Sequence, residues 1–553
     1  MISTTIDRLS VAYASEPVFT DLSFEIPDDQ VIGLVGPNGC GKTTLLRAIA
    51  GEIDPTHGTI ARRSGLIVGY LPQELSFSPG STVDDVVRAG ALTLRRIERA
   101  LADVEHRLTL PAVYEDDVAL QQALHVQEKL LLDYERAGGP GVDGRVRGIL
   151  GQLGFAESDL SRPVELLSGG QRKLVGLAAQ ALGRPGLLLL DEPDNHLDLL
   201  GKAHLERFIR SYAGGVVLVS HDRYLLDLVV DAIVELEAGR LSRFPGNYSE
   251  YAVEREQLRA RQQHRFADQQ KEITRLESSA KRLMTWGKVF DNPKFSQRAK
   301  AILKRLDRME KVEAPPAQRQ MHLALPGWRG SKKVLEIQEM GKAFPADGDG
   351  GNDRVVLDGV NLLVRHGERV GVVGPNGSGK TVLLRIILGL EQPSCGTVIV
   401  GPSVRIGYYA QEHETLDPDR SLIDTLRHEA GLSEGAAMRT LTRFAFAYDQ
   451  ARRPVSDLSG GERSRLQLAR IVLAGANFLL LDEPTNNLDI ASAEILEDAL
   501  DVFEGTVLAI SHDRYFLDRV VERIAELRGG QLALHHGSYS DAARRGQLGK
   551  EWP

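Results

Sequence analysis

Two stretches of this chain have residue types and spacing suited to holding phosphate. Gly36-Pro37-Asn38-Gly39-Cys40-Gly41-Lys42-Thr43 and Gly374-Pro375-Asn376-Gly377-Ser378-Gly379-Lys380-Thr381 both fit G-x-x-x-x-G-K-[ST]. The glycines let consecutive backbone N–H groups converge on phosphate oxygens. A helix that starts at the lysine adds partial positive charge. Lys42 and Lys380 would reach the β- and γ-phosphates of a nucleotide, and Thr43 and Thr381 would hold Mg²⁺. Apolar runs, Val31 to Val35 and Val370 to Val373, read as the buried strands that such loops need before them. Leu-rich helical segments follow from Leu45 and Leu383. One such match could be an incidental glycine-rich turn; two in matched contexts point to nucleotide.

Composition narrows the class. The chain has 553 residues, enough for roughly two to four domains with ample core. It is 42% hydrophobic and 26% charged, with a net charge of -9, so it is not polyanion-binding throughout. The two cysteines, Cys40 and Cys395, provide neither a disulfide framework nor a zinc cluster. That suits a reducing compartment, and a cytoplasmic location is expected. The start, Met1 to Asp7, lacks a basic stretch followed by an apolar run, so no signal peptide is expected. No apolar stretch approaches the ~20 residues of a membrane span, so no membrane domain is expected either.

The phosphate loops belong to a longer repeat. Leu167-Ser168-Gly169-Gly170-Gln171 returns as Leu458-Ser459-Gly460-Gly461-Glu462, and Asp191-Glu192-Pro193 as Asp482-Glu483-Pro484. Ser220-His221-Asp222-Arg223-Tyr224 returns as Ser511-His512-Asp513-Arg514-Tyr515. These pairs share one offset of 291 residues, whereas Lys42 and Lys380, or Gln73 and Gln411, lie 338 apart. The first copy therefore carries 47 additional residues between Gln73 and Ser168. They fall within about 84–150 and read as helix, loop, helix: Leu94 to Leu108, then Val118 to Glu135.

Between the copies lies a charged segment. Ser249 to Arg282 has no Pro or Gly and reads as one long helix; Gly287 and Asn292-Pro293 mark a turn; Phe295 to Val312 reads as the returning helix. Ile273, Leu276, Leu283, Ile302, Leu306 and Met309 have the spacing of an antiparallel helical hairpin. Residues 254–313 hold 16 basic and 9 acidic side chains, leaving a net charge of -16 on the rest of the chain. The basic excess surrounds the turn, with Trp286, Phe290 and Phe295 interleaved. A charge run is usually a solvated helix face, but aromatics beside Lys and Arg also suit RNA stacking and backbone contact.

These motifs, in this order, resemble those of ATP-binding cassette ATPases, and two fused cassettes with a charged helical linker resemble the ABC-F class. The resemblance covers nearly the whole chain. It implies an α/β fold of two P-loop NTPase ATP-binding cassette domains in tandem, joined by an α-helical hairpin linker. The expected bounds are 1–248 for the first cassette, with a helical "arm" at about 84–150, then 249–325 for the linker and 326–545 for the second cassette.

Further roles follow from the resemblance. Each ATP is sandwiched head-to-tail, so Lys42, Gln73, Asp191, Glu192 and His221 would share a site with Ser459, Gly460, Gly461 and Glu462. Lys380, Gln411, Asp482, Glu483 and His512 would share the other with Ser168, Gly169, Gly170 and Gln171. Glu192 and Glu483 would accept the proton of the attacking water, assisted by His221 and His512. Asp191, Asp482, Gln73, Gln411, Thr43 and Thr381 would serve Mg²⁺. Thr44 and Val382 follow the two Thr residues, and Tyr13 and Phe344 stand where adenine stacks. The sequence departs from the family at Asp194 (usually Thr), Asn487 (usually His) and Val382 (usually a hydroxyl residue), and Ala179 stands where the second copy has Arg470. Two competent but unequal sites are expected in one monomeric chain.

The resemblance implies an ATPase that binds the ribosome, through rRNA and tRNA, and uses cassette closure to modulate translation, with its linker reaching toward tRNA and the peptidyl-transferase centre. Two other readings remain open: antibiotic resistance by ribosomal protection within the same class, and the soluble ATPase subunit of an ABC transporter. Neither zinc nor a membrane domain is expected.

Overall fold

The computed structural model describes residues 2–13, 16–90, 92–114, 116–136, 139–289, 293–309, 332–345, 353–410, 416–444, 446–458, 460–486 and 488–548. The chain divides into two compact units: residues 1–247 together with 321–553, and residues 248–320. The first unit contains both cassettes.

Each cassette is built around a buried sheet. In the first, the strand order is Val68–Leu71, Leu187–Asp191, Gly215–Val219, Val31–Val35, Ala232–Glu237 and Arg240–Pro245, parallel except for the last pair. In the second it is Ile406–Tyr409, Phe478–Asp482, Thr506–Ile510, Arg369–Val373, Arg523–Arg528 and Gln531–His536, with the same senses. Continuous apolar runs explain this. A parallel strand is covered on both faces, so it reads as unbroken Leu and Val rather than as an alternating pattern. Leu187 to Leu190 are fully buried, and each such side chain contributes about 2 kcal/mol by leaving water. A three-stranded antiparallel sheet flanks each core, centred on Ile2–Tyr13 in one cassette and on Lys333–Phe344 in the other.

Parallel strands direct their carboxyl ends toward one edge, and the chemistry-bearing loops emerge there. Val31–Val35 leads into the first phosphate loop, and Lys42–Ala50 is the helix after it. Arg369–Val373 and Lys380–Ile387 repeat the arrangement. Leu187–Asp191 and Phe478–Asp482 end on the two aspartates.

The insertion in the first cassette is helical. Leu92–Leu108 and Asp117–Arg136 are helices that pack on one another, with a short helical turn at Pro111–Tyr114 between them. Leu101, Val104 and Ala123 are buried there.

The second unit is a helical hairpin, but its turn lies later than the glycine suggested. One helix runs over Tyr248–Val289, through both Arg282 and Gly287. A glycine inside a helix costs only about 1 kcal/mol, which a long helix absorbs. Proline disfavours helical backbone in the residue before it and is at home in a first turn, so the return helix is Pro293–Asp307. The expected continuation to Val312 reaches outside the described residues, as does Phe290. Ile273, Leu276, Leu283, Ile302, Leu306 and Met309 are all half-buried, and Ala280 and Ala299 are fully buried where the helices pack. Trp286 meets Phe295 edge-on, 6.3 Å between ring centroids.

Within the first unit, the cassettes are joined by two reciprocal buried clasps. Arg223 donates to both carboxylate oxygens of Glu497 and lies 4.2 Å above the Tyr515 ring. Arg514 donates to Glu206 and lies 3.9 Å above the Tyr224 ring. Arg223 and Arg514 are 2% and 0% exposed, so neither charge is hydrated. Glu497 also accepts from Arg519, at 3.1 Å. Removing one partner of a buried pair strands the other charge, at a cost of about 3–5 kcal/mol. Glu497→Ala is therefore expected to lower the unfolding free energy by about that amount in denaturant titration, and Glu497→Gln, which keeps an acceptor, by less.

Candidate active site between the cassettes

Both phosphate loops open into one cleft of about 1550 Å³. Each loop turns on a left-handed glycine at the helix N-cap: Gly41 has φ 102° and Gly379 has φ 100°. A side chain there would be strained and would strike Val18 or Val356, each 2.7 Å from the added carbon. Lys42 donates to the carbonyls of Gly36 and Pro37, at 2.7 and 3.0 Å. Lys380 donates to those of Gly374 and Pro375, at 2.8 and 2.9 Å. Each lysine thus arches over its own loop, beside the N–H groups that would face phosphate.

The carboxylates stand opposite the loops. Asp191 is fully buried and takes a hydrogen bond from the Thr43 hydroxyl, and Asp482 takes one from Thr381. Burial raises both carboxyls above their ordinary range. Glu192 and Glu483 follow with φ 49° and 47°, a left-handed backbone that costs a non-glycine residue about 1–2 kcal/mol. Their backbone N–H groups are held by the carbonyls of Val219 and Ile510, each at 2.9 Å. The strained turn lets each glutamate line the cleft.

The two glutamates then differ. Glu192 accepts from Gln73 at 2.7 Å and Asn195 at 2.6 Å, and His221 Nε2 lies 3.5 Å away. Burial pushes this carboxyl up, but the hydrogen bond and charge of His221, with Lys173 and Lys42, hold it below the usual range. Glu483 is more enclosed: burial pushes it up to about 7, although Lys380 and the His512 N–H oppose the shift. His512 donates its N–H to Glu483 at 3.2 Å, and its ring nitrogens have no hydrogen-bond partner. Burial, then Lys380 and Lys202, push that ring well below its ordinary value.

Contacts across the cassettes complete the cleft. The Asn38 N–H donates to Asp489 of the second cassette and the Asn376 N–H to Asp198 of the first, each at 3.0 Å. Asp198 and Asp489 also cap the helices Leu199–Ser211 and Ile490–Asp501. Sequence reasoning assigned neither aspartate a role, although both recur at the 291-residue offset. Ser168 and Gly169 line the same cleft, at the start of helix Gly169–Leu182. Gly170 packs beneath the loop before Asp198: an added Cβ would sit 2.5 Å from the His196 carbonyl oxygen.

The remaining sequence candidates are distributed as follows. Asn38, Gly39, Thr44, Gln73, Asn376, Gly377, Val382 and Phe344 line the cleft. Gln171 closes a capping box with Ser168, and Glu462 accepts from Gln450 at 2.8 Å, so both serve local structure. Tyr13 is 49% exposed at the end of its strand and is not among the cleft-lining residues. Cys40 is half-buried, with its thiol beside Gly36, and Ser378 is its counterpart beside Gly374. Gly460 and Gly461 begin a helix as Gly169 and Gly170 do. Gln411, Ser459 and Asn487 lie outside the described residues.

A tandem pair of ATP-binding cassettes is the class that this sheet order and this cleft define. Residues 19–195 and 357–486 match a family model described as ABC transporter, and residues 234–324 match a second model of that description. The chain is 33% identical over 540 residues to the putative ATP-binding protein YdiF of Bacillus subtilis, covering 98% of this chain and 82% of the relative. It is 35% identical over 537 residues to the energy-dependent translational throttle protein EttA of Haemophilus influenzae, covering 95% and 92%. An Arabidopsis thaliana protein named ABC transporter F family member 2 is 34% identical over 546 residues, covering 97% of this chain and 78% of the relative. The fold matches that of an archaeal ribosome recycling factor solved with ribosomal stalk protein aP1, with a TM-score of 0.58 at 18% identity, over 97% of this chain and 91% of that one. The chain belongs to the ABC-F family of ATP-binding cassette ATPases, and its activity is ATP hydrolysis. No described helix is long and apolar enough to cross a membrane.

Asp489 has two separable tasks, capping its own helix through the Ser492 N–H at 2.9 Å and reaching Asn38. Asp489→Ala should lose both, with about 1 kcal/mol from the cap. Asp489→Ser should restore most of the thermal midpoint but not ATP turnover, as followed by unfolding scans and phosphate release.

Proposed function

We propose that this chain is a cytoplasmic, ribosome-binding ATPase in which one polypeptide closes its two cassettes over two ATP molecules and thereby positions the helical hairpin against RNA. The single observation that carries the reading is that both phosphate loops, one signature serine and both acid–histidine pairs line one cleft. The catalytic assignment rests on placement. Glu192 and Glu483 would each accept a proton from the attacking water, His221 and His512 would contact the γ-phosphate, and Lys42 and Lys380 would neutralise phosphate charge.

Mg²⁺ fits the residues present. Asp191 Oδ1 is buried without a hydrogen-bond partner, and each aspartate is bonded to a loop threonine whose hydroxyl is a hard oxygen donor. Among the described residues, no group of three or more His, Cys, Asp or Glu could hold a metal. Thr43, Asp191 and Gln73 would hold Mg²⁺ in one site, and Thr381, Asp482 and Gln411 in the other. When bound it would offset the charge on the β- and γ-phosphates.

The ribosome enters through the hairpin and the relatives. Lys281, Arg282, Lys294 and Arg298 are exposed around the Trp286–Phe295 pair, and Trp286 is 49% exposed. Cationic side chains beside an accessible aromatic pair suit phosphate contact and base stacking. EttA, 35% identical over nearly its whole length, is named for throttling translation. A hairpin of this charge also fits RNA better than it fits the docking groove of a transporter subunit.

The test uses Glu192→Gln/Glu483→Gln, which should bind ATP, lose turnover by at least ~100-fold and accumulate on ribosomes in sedimentation with ATP. Removal of residues 284–296 should leave ATP binding intact and weaken co-sedimentation. Retention on ribosomes that ignores both ATP and the hairpin tip would overturn the proposal.

A further inference from the structure

The two cassettes follow one repeat, and their interface breaks it at three neighbouring positions. Asp194 stands where the second cassette has Thr485, Lys202 where it has Ala493, and Lys173 where it has Ser464. All three charged residues are buried: Lys173 is 6% exposed, Asp194 6% and Lys202 8%. Their surroundings account for this. Asp194 is balanced by Lys202, bonded to Ser220 and attracted by Lys173. Lys202 pairs with Asp222 at 2.8 Å, and its charge is also balanced by Asp194 and by Asp513 of the second cassette. Three charges absent from the other half of the repeat therefore settle against one another, and any one alone would be costly to bury.

Lys202 also crosses to the other half. Its Nζ donates to the backbone carbonyl of His512 at 2.9 Å, between groups that are both buried. His512 is the histidine beside Glu483 and Lys380, and its own N–H is the one that Glu483 accepts. A single ammonium thus fixes the peptide on which the second site's histidine and glutamate meet. Ala493, at the equivalent position, has no donor to offer His221. The groups facing Lys202 are Asp194 and Asp222 from its own cassette and His512 and Asp513 from the other. Arg514 faces the same Asp222.

We infer that Lys202 is a positioning residue of the first cassette that holds His512 in register with Glu483, so that the two ATP sites are made unequal by a contact present at only one of them. The inference rests on the reading of Glu192 and Glu483 as the two proton acceptors. It assigns the inequality to a specific side chain, and it makes the site of Lys380, Glu483 and His512 depend on the first cassette's occupancy of the interface. Asp194 and Lys173 then keep an ammonium tolerable in that position.

The experiment measures each site alone in the full chain. Glu192→Gln leaves only the Glu483 site competent, and Glu483→Gln leaves only the Glu192 site. Lys202→Met keeps the volume of the side chain and removes its donor, while Asp194 retains Lys173 and Asp222 retains Arg514. Added to Glu192→Gln, it should lower kcat roughly three- to tenfold with KM changed less than about twofold. Added to Glu483→Gln, it should leave both constants within about twofold. Lys202→Arg should recover most of the kcat loss. Asp194→Thr/Lys202→Ala, which installs the second cassette's residues, should reproduce the same one-sided loss if Lys202→Met folds poorly. Equal losses in both backgrounds, or none in the Glu192→Gln background, would overturn the inference. Full turnover in the double variant Glu192→Gln/Glu483→Gln would instead overturn the reading of the two glutamates, and the inference with it.

Discussion

Two guanidinium groups have left water at the cassette interface, and each has its carboxylate and its aromatic face in the other half of the chain. That requirement governs the rest of the structure. A buried arginine without a partner costs several kcal/mol, so in this closed arrangement each of Arg223 and Arg514 needs the carboxylate that the other cassette supplies. The clasps sit one residue after the aspartates that follow the two histidines, on the helices Arg223–Val229 and Arg514–Val520. The residues that join the cassettes are therefore chain neighbours of those that would meet nucleotide, and a shift of one helix is felt at both.

The cleft is an assembly of local strain and long-range satisfaction. Left-handed backbone at Glu192 and Glu483 is held in both copies by the carbonyl at the end of the neighbouring strand, and at Glu192 also by Asn195 and by Lys173, which donates to its carbonyl. The phosphate loops are completed from outside their own cassettes, because Asn38 and Asn376 each donate to an aspartate of the other. Within this shared plan the environments diverge. Each glutamate has its histidine Nε2 3.5 Å away, but Glu192 also accepts from Asn195 and its carboxyl is held low, whereas Glu483 accepts the His512 N–H and burial pushes it up. The repeat in sequence thus encodes a common scaffold, within which the two glutamates meet different neighbours.

Much of this was legible in sequence because the carrying signals are local. A glycine-rich loop between an apolar strand and a helix needs no knowledge of the rest of the chain, and its recurrence placed both cassettes. The insertion and the hairpin were legible from helical periodicity and from a change in offset. The two turn markers differ in weight: a 42-residue helix runs through Gly287 to Val289, because it absorbs one glycine, and the return helix begins at Pro293, where Asn292-Pro293 marks the break. The aspartates at 198 and 489 were visible as repeated residues, but their partners lie 178 and 451 residues away. No local pattern announces such a pairing. The same holds for Arg223 with Glu497. Lys202 was the reverse case: its signal was a failure of the repeat, which acquires meaning only when the carbonyl it reaches is known.

The clasps have a consequence for inheritance. Arg223, Tyr224 and Glu206 in one half correspond by position to Arg514, Tyr515 and Glu497 in the other, yet each is matched to its opposite number across the divide. Recombination that exchanged a single half with a distant homologue would bring together surfaces that had never been selected against one another. Drift at these positions must then proceed in crosswise pairs. The two halves, free to diverge wherever they face solvent, are obliged to descend together along this seam.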